Sequence, residues 1–386
     1  MVAVVKRGLA VAGLGLSLAA CQVIPGGDRG PSAAPAPAPA PSATVAPGPV
    51  VAAPQSVALL VPLSGRNAEV GQSIANATAM ALIDTKADNV AITTYDTGTG
   101  AGSAAARAIS DGNKLILGPL LGDNVSAVLA QARPAGIPLI AFSNDRTVAD
   151  RDVFVMGQIP EQSVARTVGY AVGQGSRRFA ALVPDDEYGR RAEAALQAAA
   201  QTSGGQVVAV ERYNRGNTSI VSAARRLQTK GGFDAVLIAD GARLSAMGAT
   251  ELKKGGARPL ILGTELWNGE ASIANAPALR GALFSAVSDA RYRQFVNSYE
   301  TRFGAKPYRV ATLGYDSVLL ALRLARDWQP GQPFPLAQVA DPEGFLGLDG
   351  PFRFRSDGVG ERAMEVREVG NGTISVTDPA PEHFVN

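Results

Sequence analysis

Short, mainly apolar runs recur along this chain, and amphipathic stretches of helical length separate them. The runs lie at residues 57–61, 90–95, 115–117, 138–142, 178–183, 206–210, 235–239 and 259–263. Strands that are apolar on both faces are typical of parallel sheets, because crossover helices cover both sides of such a sheet. The pattern therefore predicts an α/β fold with doubly wound, mainly parallel sheets.

The pattern changes towards the carboxyl end of the chain. Residues 352–354 and 363–369 are followed by an Asn371-Gly372 pair and by residues 373–376. An Asn-Gly pair between two such runs is typical of a tight β-hairpin turn. We therefore expect an antiparallel hairpin at a sheet edge.

Length and charge restrict the class of protein further. The segment 56–386 is longer than a single hydrophobic core usually supports, so we expect two lobes. The formal net charge of the whole chain is only +2. Such a balance gives no reason to expect a nucleic-acid partner.

The first 21 residues have the layout of a secretory signal. Lys6-Arg7 precede an apolar run at 8–18, and Leu-Ala-Ala-Cys closes it at 18–21. This run is too short to span a bilayer, which takes about 20 residues, so we predict a signal peptide at 1–20. The last four residues resemble the bacterial lipobox, which implies lipidation of Cys21. Because Cys21 is the only cysteine, the chain forms no internal disulfide.

Residues 21–55 join the predicted lipid site to the folded body. Nine prolines stand there among alanine, serine and glycine, a composition that cannot build a core. A proline-rich tether extends by about 3.1 Å per residue, so this one reaches roughly 100 Å. We expect a body lipid-anchored at the periplasmic face of a membrane. Gln22, in place of an acidic residue, favours the outer over the inner membrane.

Catalysis is disfavoured by the residues that are missing. The single histidine, His383, lies in the tail, so neither a histidine-dependent triad nor an ordinary zinc site can form. The glycine-rich residues 98–102 follow a strand, but their spacing does not match a dinucleotide fingerprint. We therefore expect no enzyme, no cofactor and no metal.

Six short motifs follow one another along the body, at residues 62–65, 95–96, 118–119, 138–141, 188–189 and 314–316. Their order and spacing resemble the type I periplasmic-binding-protein superfamily, in its leucine, isoleucine and valine receptor branch. The resemblance implies two lobes joined by three hinge crossings near residues 158, 288 and 341. It assigns 56–157 with 288–340 to the first lobe, 158–287 with 341–376 to the second, and 377–386 to a tail.

The resemblance also implies a ligand site in the cleft between the lobes. Such receptors hold the ligand carboxylate with hydroxyl groups and backbone amides of one lobe, and the ammonium group with a carboxylate of the other. The strand-end residues that match the first role are Ser64, Gly122, Ser143 and Asn144, and Asp123 is a further candidate for the cleft. Asp240 or Glu265 would supply the carboxylate, and Tyr188 and Trp267 either line the cleft or pack inside the lobes. Serine and asparagine at such turns also cap helices, so both roles stay open.

A second resemblance concerns residues 262–267, 344–347, 350–354, 368–369 and 378–384. These stretches look like those of proteobacterial lipoproteins called penicillin-binding-protein activators. The resemblance implies a non-catalytic regulator of peptidoglycan synthesis, with a peptidoglycan synthase as its partner. The alternative is a solute-binding lipoprotein of an ABC transporter, with a branched-chain amino acid or a similar small molecule as its ligand.

The lipid anchor is directly testable. We expect a Cys21→Ala protein to be released from membranes after export, because no other segment of the sequence is predicted to hold it there. Fractionation of cells into membrane and soluble parts, with a high-salt wash that removes electrostatically bound protein, measures this. A Cys21→Ala protein that stays with the membrane through this wash would contradict the prediction.

Overall fold

Parallel sheets form most of the structure, a computed structural model that describes residues 54–329 and 332–384. The predicted signal peptide, Cys21 and residues 22–53 lie outside the described residues. Among the described residues, no helix is both long enough and apolar enough to cross a membrane.

The first sheet has five parallel strands in the order β2-β1-β3-β4-β5. These strands are β1 (Gln55–Val61), β2 (Val90–Asp96), β3 (Leu115–Leu117), β4 (Leu139–Ala141) and β5 (Val153–Val155). The helices between them are α1 (Ala68–Thr85), α2 (Ala101–Ser110) and α3 (Val125–Ala132).

The second sheet has seven strands in the order β15-β14-β10-β9-β8-β6-β7. Its strands are β6 (Arg178–Pro184), β7 (Gln206–Tyr213), β8 (Ala235–Ile238), β9 (Leu260–Leu262), β10 (Leu283–Ala286), β14 (Glu365–Val369) and β15 (Ile374–Asp378). The helices of this lobe are α4 (Pro160–Gly173), α5 (Glu187–Thr202), α6 (Ser219–Lys230), α7 (Ala242–Leu252) and α8 (Ala271–Ala274). Strands β14 and β15 are antiparallel and form the hairpin that the Asn371-Gly372 pair predicts.

Residues within each central strand alternate between two cores. Val57, Leu59 and Val61 of β1 belong to one apolar cluster, whereas Ala58 and Leu60 belong to another on the opposite face. Strand β6 divides its residues between two clusters of the second sheet in the same way. Both sheets are therefore covered on both faces, which confirms the doubly wound α/β class.

Three later helices complete the first lobe, and a small third sheet follows them. The helices are α9 (Tyr292–Phe303), α10 (Thr312–Ala325) and α11 (Leu336–Val339), and the antiparallel strands are β11 (Phe345–Gly347), β12 (Gly350–Phe354) and β13 (Gly360–Arg362). Phe345, Phe352 and Phe354 pack into the first-lobe core with β1. The range 341–376 is predicted to belong to the second lobe, whereas these three aromatic residues pack with the first-lobe core. The predicted lobe boundaries stay predictions.

The chain passes between the lobes after β5, after β10 and again through the third sheet, and buried arginines hold these passages together. Arg367 donates to Glu365 (2.7 Å), to Asp289 (2.7 Å), to the Asn268 amide oxygen (3.1 Å) and to the Val287 carbonyl (2.8 Å). Its side chain is 6% exposed. Arg367 therefore links β14 to the segment that follows β10.

A second group of charges surrounds Asp349, whose carboxylate is fully buried. It accepts hydrogen bonds from Arg309 (2.5 Å) and from the Thr312 hydroxyl (2.9 Å), and Arg362 lies 4.0 Å away. Arg362 also donates to the Met156 carbonyl (2.7 Å), in the passage after β5. We call these charges, together with Arg367, Glu365 and Asp289, the hinge network.

We expect Arg367→Met to lower the free energy of unfolding by about 3–5 kcal/mol, because Glu365 and Asp289 would lose a shared buried cation. Denaturant titration measures the change. As a control, Arg190→Met removes an exposed ion pair with Glu187 and should cost less than about 1 kcal/mol. Equal stability of the Arg367→Met and wild-type proteins would show that the hinge network does not hold the passages.

Candidate functional site

A cavity of about 430 Å³ lies where the carboxyl ends of both parallel sheets meet. Open α/β sheets bind ligands at this end of their strands, and the volume falls in the range of small-molecule sites. The apolar lining consists of Leu120, Leu121, Phe142, Leu266, Val310 and Leu313. The polar lining consists of Asn67, Asn144, Gln158, Glu265, Asn268 and Arg309. We call this cavity the cleft.

Glu265 is the acidic residue that lines the cleft from the second lobe. It begins a short turn after β9 and is 8% exposed. The Tyr188 hydroxyl donates to one carboxylate oxygen (2.9 Å) and also lies 2.9 Å from the Thr264 hydroxyl. The other carboxylate oxygen has no hydrogen-bond partner among the described residues. Burial raises the pKa of Glu265 to about 7.

Trp267 holds this turn in place from inside the lobe. Its side chain is fully buried, and its indole N–H donates to the Asp240 carbonyl (2.9 Å). A Cβ atom at position 263 would lie 2.4 Å from the Trp267 ring, so Gly263 leaves room for the indole. Trp267 therefore packs in the second-lobe core and does not line the cleft.

Asp240 is engaged elsewhere. Its carboxylate accepts hydrogen bonds from the Tyr213 hydroxyl (2.7 Å), from Arg215 (2.9 Å) and from the Gly241 backbone (2.8 Å). Of the two carboxylates considered from the sequence, Glu265 is thus the one that the structure brings to the cleft. Its contact with a ligand stays a prediction.

The first-lobe candidates are divided between the cleft and local structure. Asn144 lines the cleft. Ser143 is buried and accepts a hydrogen bond from the Asp145 backbone (3.0 Å), which is a turn-forming role. Ser64 hydrogen-bonds to the Asp96 carboxylate.

Two further candidates lie in the turn that follows β3. Gly122 faces Ser143, since a Cβ there would lie 3.0 Å from the serine hydroxyl. Asp123 is exposed. Neither residue belongs to the cleft lining.

Arg191 connects the two sides of the cleft. It extends from α5 in the second lobe and forms two hydrogen bonds with Glu161 (2.9 and 2.8 Å). It also donates to the backbone carbonyl of Asn144 in the first lobe (2.7 Å). The loop that carries Asn144 is therefore held against the second lobe.

Four polar lining residues were not predicted from the sequence, namely Asn67, Gln158, Asn268 and Arg309. Arg309 stands before α10, far along the chain from any first-sheet strand. Its guanidinium carbon lies 3.9 Å from the centroid of the Tyr292 ring. No local sequence signal marks Arg309, because only the packing of α10 against the first lobe brings it to the cleft.

No group of three or more histidine, cysteine, aspartate or glutamate side chains within residues 54–329 and 332–384 is arranged to hold a metal ion. The polar groups that line the cleft are instead one carboxylate, one guanidinium group and four amides, beside six apolar side chains. Such a lining suits recognition of a small organic molecule.

The sequence matches the periplasmic binding protein family over residues 54–373, so the chain belongs to that family. Its relatives there are binding proteins and not enzymes. The fold is that of the two-lobed leucine-binding proteins.

Solved structures of three bacterial proteins show the same fold. A putative branched-chain amino acid ABC transporter protein of Rhodospirillum rubrum is 21% identical, covers 84% of this chain and 99% of its own, and has a TM-score of 0.75. A branched-chain amino acid binding protein of Streptococcus pneumoniae in complex with isoleucine is 18% identical over 85% and 100% of the two chains, with a TM-score of 0.62. A solute-binding protein of Rhodopseudomonas palustris in complex with benzoate is 18% identical over 85% and 97%, also with a TM-score of 0.62.

A curated relative is an uncharacterised protein of Rickettsia prowazekii. It is 27% identical over 173 residues, which is 44% of this chain. The match spans 46% of that relative, less than half of its length.

The raised pKa of Glu265 predicts a pH dependence of stability. Between pH 4.5 and about 7 the native carboxyl keeps a proton that the unfolded chain releases, so stability falls as pH rises through this window. Glu265→Gln removes the effect, and we expect the variant to gain about 3 kcal/mol over wild type between pH 4.5 and 8.

Denaturant titrations at several pH values measure this difference. Glu187→Gln, at an exposed glutamate of α5, serves as the control and should follow the wild-type curve. Parallel curves for wild type and Glu265→Gln would contradict a raised pKa at Glu265.

Proposed function

We propose that this protein binds a small amine-bearing organic molecule in the cleft, as the solute-binding lipoprotein of an ABC transporter does. The observation that carries the proposal is Glu265, a buried carboxylate in a cavity that apolar and polar side chains line in equal number. A buried carboxylate with an oxygen that lacks a partner is costly, and a cationic ligand group would compensate it. The solved relatives, whose ligands include isoleucine and benzoate, support a ligand of this size.

The cleft lining indicates how such a ligand would be oriented. Its ammonium group would contact Glu265 in the second lobe, and its apolar part would pack on Leu120, Leu121 and Phe142 of the first. A carboxylate on the ligand would find the Asn144 side chain and the amides of the strand-end loops. Contacts from both lobes to one molecule would stabilise the arrangement in which the lobes are close together.

We further propose that Cys21 is lipidated and anchors the body to the periplasmic side of a membrane, with the outer membrane favoured. Residues 22–53 would then join the anchor to β1. The support for both proposals is the lipobox-like sequence at 18–21 and the composition that follows it.

A second candidate function is regulation of a peptidoglycan synthase, and the activator-like stretches favour it. In the structure these stretches are built into the body. Arg166 of α4 forms an ion pair with Asp378 (2.6 Å), and Arg353 of β12 lies 4.7 Å from the Phe384 ring centroid. The tail motif thus packs against the body.

Calorimetric titration with a panel of amino acids and aromatic acids tests the first candidate. We expect an amine-bearing ligand to bind, and to bind more tightly as pH rises from 6 to 8 because Glu265 becomes ionised. Glu265→Gln should weaken this binding by about tenfold or more, the loss of one charge-assisted hydrogen bond. Asp123→Asn, at an exposed residue outside the cleft lining, should leave the affinity unchanged.

Two results would contradict the first candidate. One is the absence of binding for every member of the panel, and the other is equal affinity of the Glu265→Gln and wild-type proteins. Recovery of a peptidoglycan synthase from crosslinked envelopes, without transporter permeases, would then support the second candidate.

A further inference from the structure

The end of the second lobe that faces away from the cleft carries an excess of basic side chains. Seven of them stand in the loops that lead into β6, β8, β9 and β10, or at the ends of the flanking elements. They are Arg177, Arg178, Lys230, Lys253, Lys254, Arg258 and Arg280. We call this set the basic end.

Several contacts bring four of these residues to the same end of the sheet. The Arg177 and Arg178 backbone N–H groups both donate to Asp234, which precedes β8 (2.9 Å each). The Lys253 ammonium donates to the Arg280 carbonyl (3.3 Å). Since β6, β8, β9 and β10 are neighbours in the sheet at about 4.8 Å spacing, the basic end extends over roughly 15 Å.

Acidic residues do not neutralise the basic end. Asp234 is the one acid in residues 174–177, 231–234, 253–259 and 275–282, and backbone groups already bind it. Glu368, exposed on β14 opposite Leu283, is a further acid at this end of the sheet. Glu251 pairs with Lys254 but also with Arg225, and Glu211 pairs with Lys230 but also with Arg226, so each glutamate is shared by two cations. The side chains of Arg258 and Arg280 make no hydrogen bond or ion pair with any described residue.

The corresponding end of the first lobe shows that the fold does not require such an excess. Its described loops before β2 to β5 carry as many acids as bases, namely Asp88, Asp111, Asp150 and Asp152 with Lys86, Lys114, Arg133 and Arg151. Cations at helix ends are favourable in general, and Arg177 has this role because its guanidinium donates to the Val172 carbonyl in the last turn of α4. Arg258 and Arg280 stand in loops outside the last turn of a long helix. The whole chain has a net charge of only +2.

From this asymmetry we propose that the basic end docks on the anionic phospholipid surface of a membrane. A field spread over several exposed long side chains suits a flat anionic surface, to which each Lys or Arg adds roughly a fivefold gain in binding. None of the large exposed apolar side chains of the described chain lies at the basic end, so the apolar anchors typical of a protein interface are missing. The proposed anchor at Cys21 would hold the body beside such a surface.

This docking would leave the cleft accessible. The basic end lies at the amino ends of the second-sheet strands, whereas the cleft lies at their carboxyl ends. A body docked in this way would present the cleft away from the lipid. Docking and ligand binding are therefore separate properties and fail separately.

Vesicle co-sedimentation tests the proposal with the body 51–386, a single compact unit that contains all the core clusters and lacks the anchor. We expect it to sediment with vesicles of phosphatidylcholine and phosphatidylglycerol, but not with phosphatidylcholine alone, and to be released by high salt. The double variant Arg258→Glu with Arg280→Glu should bind at least about 25-fold more weakly, since it loses two such contributions and adds two negative charges.

The matched control is Lys114→Glu with Arg151→Glu, which changes the net charge equally at the end of the first lobe. It should bind as wild type does, and all three proteins should keep the same thermal midpoint. Equal losses in both double variants would overturn the proposal. Absence of binding to the anionic vesicles would also overturn it, as would binding to purified peptidoglycan but not to vesicles.

Discussion

The arrangement of the two lobes depends on the buried charges of the hinge network. Arg367 joins β14 to the passage after β10, and Asp349 joins the third sheet to α10 through Arg309 and Thr312. Burial makes each charge depend on its partner, because an unpaired ion in the interior is strongly destabilising. The network therefore determines which loops face each other across the cleft. Any movement of one lobe relative to the other would have to bend the backbone of the three passages.

The hinge network helps to position the polar side chains that line the cleft. Arg309 belongs both to the hinge network and to the cleft lining. Asn268 also lines the cleft, and its amide oxygen accepts a hydrogen bond from Arg367. Glu265 lies three residues before Asn268. Its carboxylate accepts a hydrogen bond from the Tyr188 hydroxyl, and the buried Trp267 fixes the turn that carries it. A ligand in the cleft would thus contact residues that also connect the three passages. Ligand binding and the separation of the two lobes would therefore be coupled.

The sequence predicts the strand and helix order well, because apolar runs covered on both faces leave a clear pattern. It also predicts the β14 and β15 hairpin from an Asn-Gly pair. It does not place β11 and β12 in the first-lobe core, since aromatic residues at 345, 352 and 354 fit either lobe by pattern alone.

The cleft is only partly predictable for the same reason. Glu265 and Asn144 stand at strand ends, where a parallel sheet places its functional residues. Trp267 is an aromatic residue of the kind that lines clefts, but it packs in the core because Gly263 leaves room for the indole there. Arg309 reaches the cleft through tertiary packing, for which no local signal exists. A crystal structure of the protein, purified under native conditions from the cell envelope, tests the central claim most directly. We predict electron density for a small molecule in the cleft, in hydrogen-bond contact with Glu265. A cleft filled by side chains of the two lobes would contradict this prediction.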